Sequence, residues 1–397
     1  MKILMVHNAY REPGGEDVVH EAECDLMLAA GHGVVRYLRS NTEIDGYGPW
    51  RKATLAARTL WAWDTHRDLR ALLAAERPDV AHFTNTFPLV SPAAYDACRS
   101  AGVAVVQSLH NYRLLCPAAT FLRDGRICEE CTVHSLRRAV RHGCYRGSRA
   151  ASAVVAGMLA LHHRRRTWSE RVDGYVALTG FARERLVAGG LPPDRVDVVP
   201  NFVHPDPGER SEAGSYALFA GRLAPEKGLH TLLQAWRRLE TRVPLRIAGD
   251  GPLRPALEAE VARGLPEVEM LGPLPRGELV KVLQGARCLV VPSLWYEGFP
   301  MTIVEAFACG VPVIASRLGG LPEIVAEGRT GLLFAPADPG DLARTLESAW
   351  TDPEALAEMG LAARREYEDH YTAARHAALL EEVYARAIAA RRASAQA

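Results

Sequence analysis

Apolar residues recur along this chain in two alternating ways. Short, nearly continuous apolar runs bounded by Gly, Pro, Asn or Asp alternate with longer stretches in which apolar residues return every three or four positions. The first kind reads as β-strand buried on both faces, the second as amphipathic helix. The strand candidates in the first half are Lys2–Asn8, Val34–Leu38, Asp79–Asn85, Val103–His110, Gly174–Thr179 and Val196–Pro200. Those in the second half are Tyr216–Gly221, Leu245–Gly249, Val268–Gly272, Cys288–Ser293, Pro312–Ser316 and Gly331–Phe334. Strands separated by helices predict parallel sheets built from βαβ units. Two such runs predict an α/β chain of two Rossmann-like, doubly wound domains.

Between the runs lies Asn201–Ser215, where Pro205, Pro207, Gly208 and Gly214 stand among mostly polar residues, a linker composition. From Asp341 the chain is rich in Ala, Arg and Glu and reads as helix with no further strand. The expected division is an N-terminal domain 1–205, a C-terminal domain 206–375, and a final helix 376–397 packing back on the first domain. Open α/β sheets bind ligands at the carboxyl ends of their strands. Two of them joined by a hinge predict facing walls of a cleft, suited to two substrates that must meet away from water.

Composition changes this picture little. A chain of 397 residues exceeds one hydrophobic core, in keeping with two domains. Lys+Arg and Asp+Glu both number 47, which argues against nucleic acid as a partner. The opening MKILMVHNAY breaks its apolar run at His7 and Asn8, so it reads as a strand rather than a signal peptide. No window of about eighteen apolar residues suggests a membrane span. A cytoplasmic location is the expectation, at the inner face of the membrane if the basic segment described below meets lipid. The eight Cys then read as thiols or metal ligands rather than disulfides.

The most informative stretch runs Ser293-Leu-Trp-Tyr-Glu-Gly-Phe-Pro-Met-Thr-Ile-Val-Glu-Ala-Phe-Ala-Cys-Gly-Val-Pro312. A strand ends at Ser293, a loop follows, and a helix is expected from near Thr302 to Gly310. Gly298, Phe299, Pro300, Met301 and Thr302 span the loop and first turn, whose free amides suit an anion or hydroxyls. Glu297 sits in the loop, where a carboxylate can accept hydrogen bonds from sugar hydroxyls. Glu305 lies one turn into the helix, and Thr302-x-x-Glu305 also reads as a capping box. A second element agrees: the strand Tyr216–Gly221 runs into Arg222-Leu-Ala-Pro-Glu-Lys227-Gly228. Two cations just past a strand end suit a diphosphate.

The block Ser293–Val325 resembles glycosyltransferase family 4, the retaining GT-B enzymes also called glycosyl transferases group 1. Members carry a Glu-x7-Glu element that Glu297 and Glu305 match in spacing. The likeness continues through Gly310-Val-Pro-Val-Ile-Ala-Ser316 and Gly319-Gly-Leu-Pro-Glu-Ile-Val325. The resemblance implies a GT-B fold and transfer of a sugar from a UDP-, GDP-, ADP- or dTDP-linked donor to a hydroxyl acceptor. Polysaccharide, glycolipid and secondary-metabolite glycoside synthesis all fit it. It implies that Arg222 and Lys227 neutralise the leaving diphosphate, Glu297 orients the sugar and Glu305 meets the ribose. Gly221, Asp250, Gly251 and the amides near Leu253 and Leu274 would then complete the donor loops. No Asp-x-Asp hook precedes the site, so no catalytic metal is expected. The family's reaction runs on one face, with the departing phosphate oxygen taking the acceptor's proton, so no protein base is assigned. A GT-B epimerase, a phosphorylase and a silent nucleotide-sugar binder are the competing readings.

In the first half, strand Lys2–Asn8 leads into Pro13-Gly14-Gly15-Glu16 and a helix. Glycines there let backbone approach a ligand at a helix start, and the resemblance assigns Gly14 and Gly15 to donor phosphates and acceptor. His110 ends a strand, and the resemblance makes it a contact to the transferred sugar. Asn111, Tyr112 and Arg113 are acceptor-side candidates. Cys116, Cys128, Cys131 and Cys144 form a set around a C-x2-C hook, in a segment of about 112–150 expected to be irregular. They read as a structural zinc site or as four thiols. From His134 to Arg166 there are eight Arg and no Asp or Glu. With Trp50, Trp61, Trp63, Arg51, Lys52 and Arg58 this suits peripheral association with an anionic membrane surface, or an ordinary solvated face.

Overall fold

The computed structural model describes residues 1–12 and 14–396, with the side chains of Lys52, Ala53, Ala395 and Gln396 outside that description. Pro13 of the glycine loop and the side chain of Lys52 therefore lie outside the described residues. The chain divides into two compact units. The first comprises Met1–Phe121, Glu129–Pro200 and His376–Ala397; the second comprises Leu122–Cys128 and Asn201–Arg375.

In chain order the strands are β1 (Lys2–Ala9), β2 (Gly33–Ser40), β3 (Val80–Phe83) and β4 (Ala104–Leu109), then a hairpin of β5 (Leu122–Arg123) and β6 (Arg126–Ile127). They continue with β7 (Gly174–Ala177), β8 (Val196–Val198), β9 (Tyr216–Ala220), β10 (Leu245–Ala248), β11 (Val268–Gly272), β12 (Ala286–Val291), β13 (Val313–Ser316) and β14 (Gly331–Phe334). The first sheet is parallel in the order β2-β1-β3-β4-β7-β8. The second is parallel in the order β11-β10-β9-β12-β13-β14. Each strand candidate of the sequence is found, within a few residues at its ends. Ile3, Leu4, Met5 and Val6 are all fully buried, as continuous apolar strands under helices on both faces must be.

Strand order matters here because it fixes where ligands bind. In the first sheet the chain steps from β1 to β2 on one side, then returns to β3 on the other. In the second it steps from β9 through β10 to β11, then returns to β12. The points of reversal, β1/β3 and β9/β12, leave a crevice at the carboxyl ends of the strands, where doubly wound sheets hold ligands. The second unit buries Leu218, Leu289, Ile303, Phe307 and Val313 on one face of its sheet and Phe219, Leu232, Ile247, Val290 and Leu342 on the other. Both faces are thus packed, and the strand ends are held rigidly.

Two expectations need correction. Asn201–Ser215 is not a loose linker: the second unit begins at Asn201 rather than 206, and Phe202 and Val203 are buried. Val203 N donates to Tyr371 O at 3.1 Å, Arg364 pairs with Asp206 at 2.7 Å, and Arg210 donates to Ala286 O at 2.8 Å. Two apolar side chains and two arginines anchor a segment whose Pro and Gly content suggested mobility. The segment 112–150 is not irregular either, since it carries the β5–β6 hairpin and helices Glu130–Val133 and Arg137–His142, with helix Arg149–Arg164 following. The last helix, Ala373–Gln396, belongs to the first unit from His376 onward. There Leu380 and Tyr384 are fully buried. Tyr384 donates to His82 Nδ1 at 2.7 Å, and His376 pairs with Glu23 at 3.1 Å.

Candidate active site

In the second unit the loop after β9 and the loop after β12 meet at the point of strand reversal. Gly228 makes this contact possible. It has φ +74°, and a Cβ there would fall 1.8 Å from Pro292 O. Only glycine lets the β9 loop lie against the end of β12. Leu294 N also donates to Glu226 O at 2.8 Å, stitching the loops together.

Across this seam Lys227 Nζ donates to Glu297 Oε1 at 2.8 Å and to Oε2 at 3.0 Å. Ser293, the last residue before the loop, donates through Oγ to the same carboxylate. The Glu297 side chain is 5% exposed and that of Lys227 24%, so the pair is enclosed but open on the lysine side. Lys227 also lies 5.5 Å from the centre of the Trp295 ring, whose indole N–H has no hydrogen-bond partner among the described residues. A cation, a carboxylate and an unused donor thus converge on a few ångströms of surface. Arg222 lies on the same loop but pairs with Glu226 at 2.9 Å and is largely exposed. It joins this group through Glu226 rather than by touching Glu297.

Helix Met301–Ala308 starts at Met301, with Pro300 as its cap and no side-chain cap bond. The capping-box reading of Thr302 and Glu305 therefore fails, because both lie inside the helix. Glu305 is largely buried, and burial raises its pKa against the pull of Arg276. Met301 and Thr302 keep first-turn amides without helical partners, next to Gly298. Phe299 is engaged in packing instead, with its ring 5.9 Å from Tyr371.

On the neighbouring loop, Gly221 (φ +155°) opens the turn after β9. Asp250 Oδ1 accepts from Gly251 N at 2.8 Å. One expected donor is committed elsewhere, since Leu253 N donates to Leu223 O at 3.0 Å, while the Leu274 side chain packs on the apolar core.

In the first unit a small cavity opens at the other kind of reversal, between β1 and β3 and beside the end of β4. Tyr10, Glu16, Asn85, His110, Asn111 and Arg113 are among its lining residues. His110 follows β4, and its Nε2 is enclosed without a hydrogen-bond partner among the described residues. Burial lowers its pKa to about 4 despite the attraction of Glu23, so the ring is neutral near pH 7. Gly14 caps helix Gly15–Ala29 and Gly15 begins it; among the described residues, beyond its chain neighbours and its own helix backbone, no atom lies within 4 Å of where a Gly15 Cβ would sit. Space there is left for something else to approach the helix start. Asn111 Oδ1 accepts from Arg113 N at 3.0 Å, and the Arg113 guanidinium stacks 4.6 Å from the Phe87 ring centre. Tyr112 departs from expectation: it is buried with its ring 4.9 Å from Phe121 and does not line the cavity.

Several residues here had no functional assignment from sequence. Tyr10 donates to Glu16 Oε2 at 2.6 Å, and burial raises the Glu16 pKa to about 7 even though Tyr10 and His7 oppose it. His7 pairs with Asp17 at 2.8 Å, and the amides of Tyr10 and Gly14 donate to the same carboxylate. Burial works against Asp17, but these bonds hold its pKa below the usual value. The signal was present in His7, a polar residue that interrupts an otherwise apolar strand.

Cys116 is buried, while Cys128, Cys131 and Cys144 are partly buried. Cys128 falls in the segment counted with the second unit. Among the described residues no group of three or more His, Cys, Asp and Glu side chains is placed to hold a metal ion, so the zinc reading rests on spacing alone. Nor is any described helix long and apolar enough to cross a membrane.

Residues 204–366 match the family model for glycosyl transferases group 1, and residues 24–207 match that for glycosyltransferase family 4. The chain belongs to this glycosyltransferase family. Alpha-maltose-1-phosphate synthase of Mycolicibacterium smegmatis is 30% identical to it over 250 residues, 55% of this chain and 64% of that protein. A D-inositol 3-phosphate glycosyltransferase of Corynebacterium efficiens is 41% identical over 154 residues, 36% of each chain. The matched stretches thus span less than two thirds of these curated relatives. Among solved structures, Anabaena Alr3699/HepE in complex with UDP superposes with a TM-score of 0.70 at 18% identity, covering 97% of this chain and 100% of that one. Sucrose-phosphate synthase from Thermosynechococcus elongatus gives 0.71 at 18% identity, covering 98% and 99%. These likenesses establish the GT-B fold of this glycosyltransferase family member.

Proposed function

We propose that the chain is a retaining glycosyltransferase that takes a sugar from a nucleoside-diphosphate donor and delivers it to a hydroxyl acceptor. The observation that carries this reading is the Lys227–Glu297 pair, held by Ser293 at the β9/β12 reversal of the second unit. Without ligand, the carboxylate neutralises the lysine. A donor diphosphate would take over the ammonium of Lys227, joined by Arg222 and the first-turn amides of Met301 and Thr302, and offset the charge that develops on the leaving group. Glu297, freed from the lysine yet still held by Ser293, would accept hydrogen bonds from the sugar. Glu305 is assigned to the nucleotide ribose and His110 to the transferred sugar. With the departing phosphate oxygen accepting the acceptor's proton, the mechanism asks for no protein base and leaves the anomeric configuration retained. The complexes of Alr3699/HepE with UDP and with UDP-glucose support a uridine donor as the first to try.

The test is a thermal-shift screen against UDP-, GDP-, ADP- and dTDP-sugars, followed by an assay of nucleoside diphosphate release with a panel of hydroxyl acceptors. Ligand that binds the folded state raises its melting temperature. One donor class should do so, and release should require an acceptor. An epimerase would change the sugar with no acceptor present. A silent binder would show the shift without turnover, and either result would contradict the proposal.

A further inference from the structure

A further cavity of the first unit lies away from the residues considered so far. It has a volume of about 590 Å³ and is lined by Asp79 and Val103, which precede β3 and β4, and by Ala104, the first residue of β4. It therefore opens at the amino ends of these strands, whereas His110 stands at the carboxyl end of β4. Four arginines line it: Arg70 and Arg77 from helix Trp63–Glu76 and its cap, and Arg391 and Arg392 from the last helix. Asp79 is the lone carboxylate among the lining residues, and it is engaged by Lys2 N at 2.8 Å. Ser100 adds a hydroxyl.

None of these four guanidinium groups pairs with a carboxylate or donates a hydrogen bond among the described residues. For Arg391 this is unusual, because it is only 8% exposed. Buried guanidinium is costly unless an anion or acceptors compensate it. Asp173, beneath the cavity, attracts Arg391 but supplies only part of that compensation, because both of its oxygens are taken by other donors. Asp173 accepts from Arg99 at 3.1 Å and from Val105 N at 2.9 Å. Arg171 is matched by Asp96, and Arg195 by the carbonyls of Ser169 and Val172. Burial lowers the pKa of Arg99, and Arg391, Arg171 and Arg195 add to that while Asp173 opposes it. The region thus holds more positive charge than its own carboxylates balance. Helix carboxyl ends near Glu76 and Ser100 favour cations, yet arginines serving that role would donate to terminal carbonyls, and these four do not.

We propose that this cavity is a second ligand site, which binds a phosphoryl-bearing anion independently of the donor site in the second unit. The planar fork of arginine matches phosphate oxygens in pairs, and a cavity of this size accommodates a phosphorylated metabolite. Placed at the amino ends of the strands, such a ligand acts as an effector rather than a reactant.

The experiment uses the full chain carrying Lys227→Ala, which removes the chief cation of the donor site. Inorganic pyrophosphate and a hexose 6-phosphate are titrated by calorimetry at physiological ionic strength, and co-sedimentation with phosphatidic acid vesicles is measured in parallel. At least one probe should bind, and Arg391→Gln should weaken it by about tenfold or more, a loss of about 1.4 kcal/mol. Arg70→Ala/Arg77→Ala, on exposed residues, makes the same test should the buried substitution unfold the protein. Solute binding that these changes weaken assigns a free metabolite, and vesicle binding alone assigns a lipid headgroup. Binding by no probe, or by probes indifferent to all three arginines, would overturn the proposal.

Discussion

At the scale of single residues, the candidate site depends on side chains whose positions two loops dictate. Lys227 and Glu297 are 70 positions apart in sequence and meet because Gly228 permits the approach. Gly228→Ala should place a methyl against Pro292 O and force a left-handed backbone on a residue that resists it. A loss of at least about 2 kcal/mol of stability is expected, with weakened donor binding, read from chemical denaturation and the thermal shift. Sequence reading reached both partners, since each sits just past an apolar strand. It did not reach Ser293 as the third member, because a serine ending a strand has no distinguishing pattern. It also placed the Leu253 amide among the donor contacts, although that amide is already used by the fold. Which backbone groups remain unpaired is a property of three-dimensional packing, and sequence spacing does not encode it.

At the scale of elements, strands were the most legible, because burial on both faces leaves a continuous apolar run. Helix starts were less so. Moving one start from Thr302 to Met301 removes the capping box altogether and leaves Glu305 without a local structural role. The arginine-rich stretch after His134 hid two helices, Arg137–His142 and Arg149–Arg164, the first too short to show an apolar period and the second flanked by arginines that mask its buried face. Elements of the first unit also bury a polar network that sequence could not assemble. His20 donates to or accepts from Thr84 at 2.8 Å, and His82 does so with Ser108 at 2.7 Å. Burial lowers the pKa of His20 to about 3 and of His82 to about 4. Both values lie below those of the unfolded chain, so the unfolded state takes up protons first. Stability from these residues is complete above pH of about 6.5 and falls as pH drops toward their folded values, by about 1.4 kcal/mol per pH unit for each. Glu23, held down to about 2 by bonds and charges of His376 and His82 that outweigh its burial, adds a further loss below pH of about 4.5. A melting series from pH 7 to 4 should therefore show the first unit losing stability steeply. A flat melting temperature over that range would mean these histidines are not buried as neutral rings.

At the scale of the whole molecule, the chain repeats one architectural idea twice. Each unit is a parallel sheet whose strand order reverses once, and each places its candidate residues at that reversal. Alternating periodicity made the two sheets legible, but strand order follows from crossover packing, which no single segment records. The last helix shows the same limit. Its sequence predicted a helix packing back on the first domain but not the contacts it makes there: Leu380, Val383, Tyr384 and Ala387 are buried and it closes the Glu23 network. Burying the Leu, Val and Tyr side chains contributes about 1.5–3 kcal/mol each. A chain ending at Arg375 should lose several kcal/mol from the first unit and expose apolar surface, visible as dye binding at temperatures where the full chain is folded. A truncated chain that melts like the full one would place the helix outside the core.

The central claim is that Lys227 and Glu297 together hold and activate a diphosphate-linked sugar. The most direct test is the rate of nucleoside diphosphate release from the preferred donor, compared between the unchanged chain and the Lys227→Ala and Glu297→Gln variants. The account predicts a fall of about 100-fold or more in each, with circular dichroism showing both variants folded. Unchanged rates in folded Lys227→Ala and Glu297→Gln proteins would contradict it.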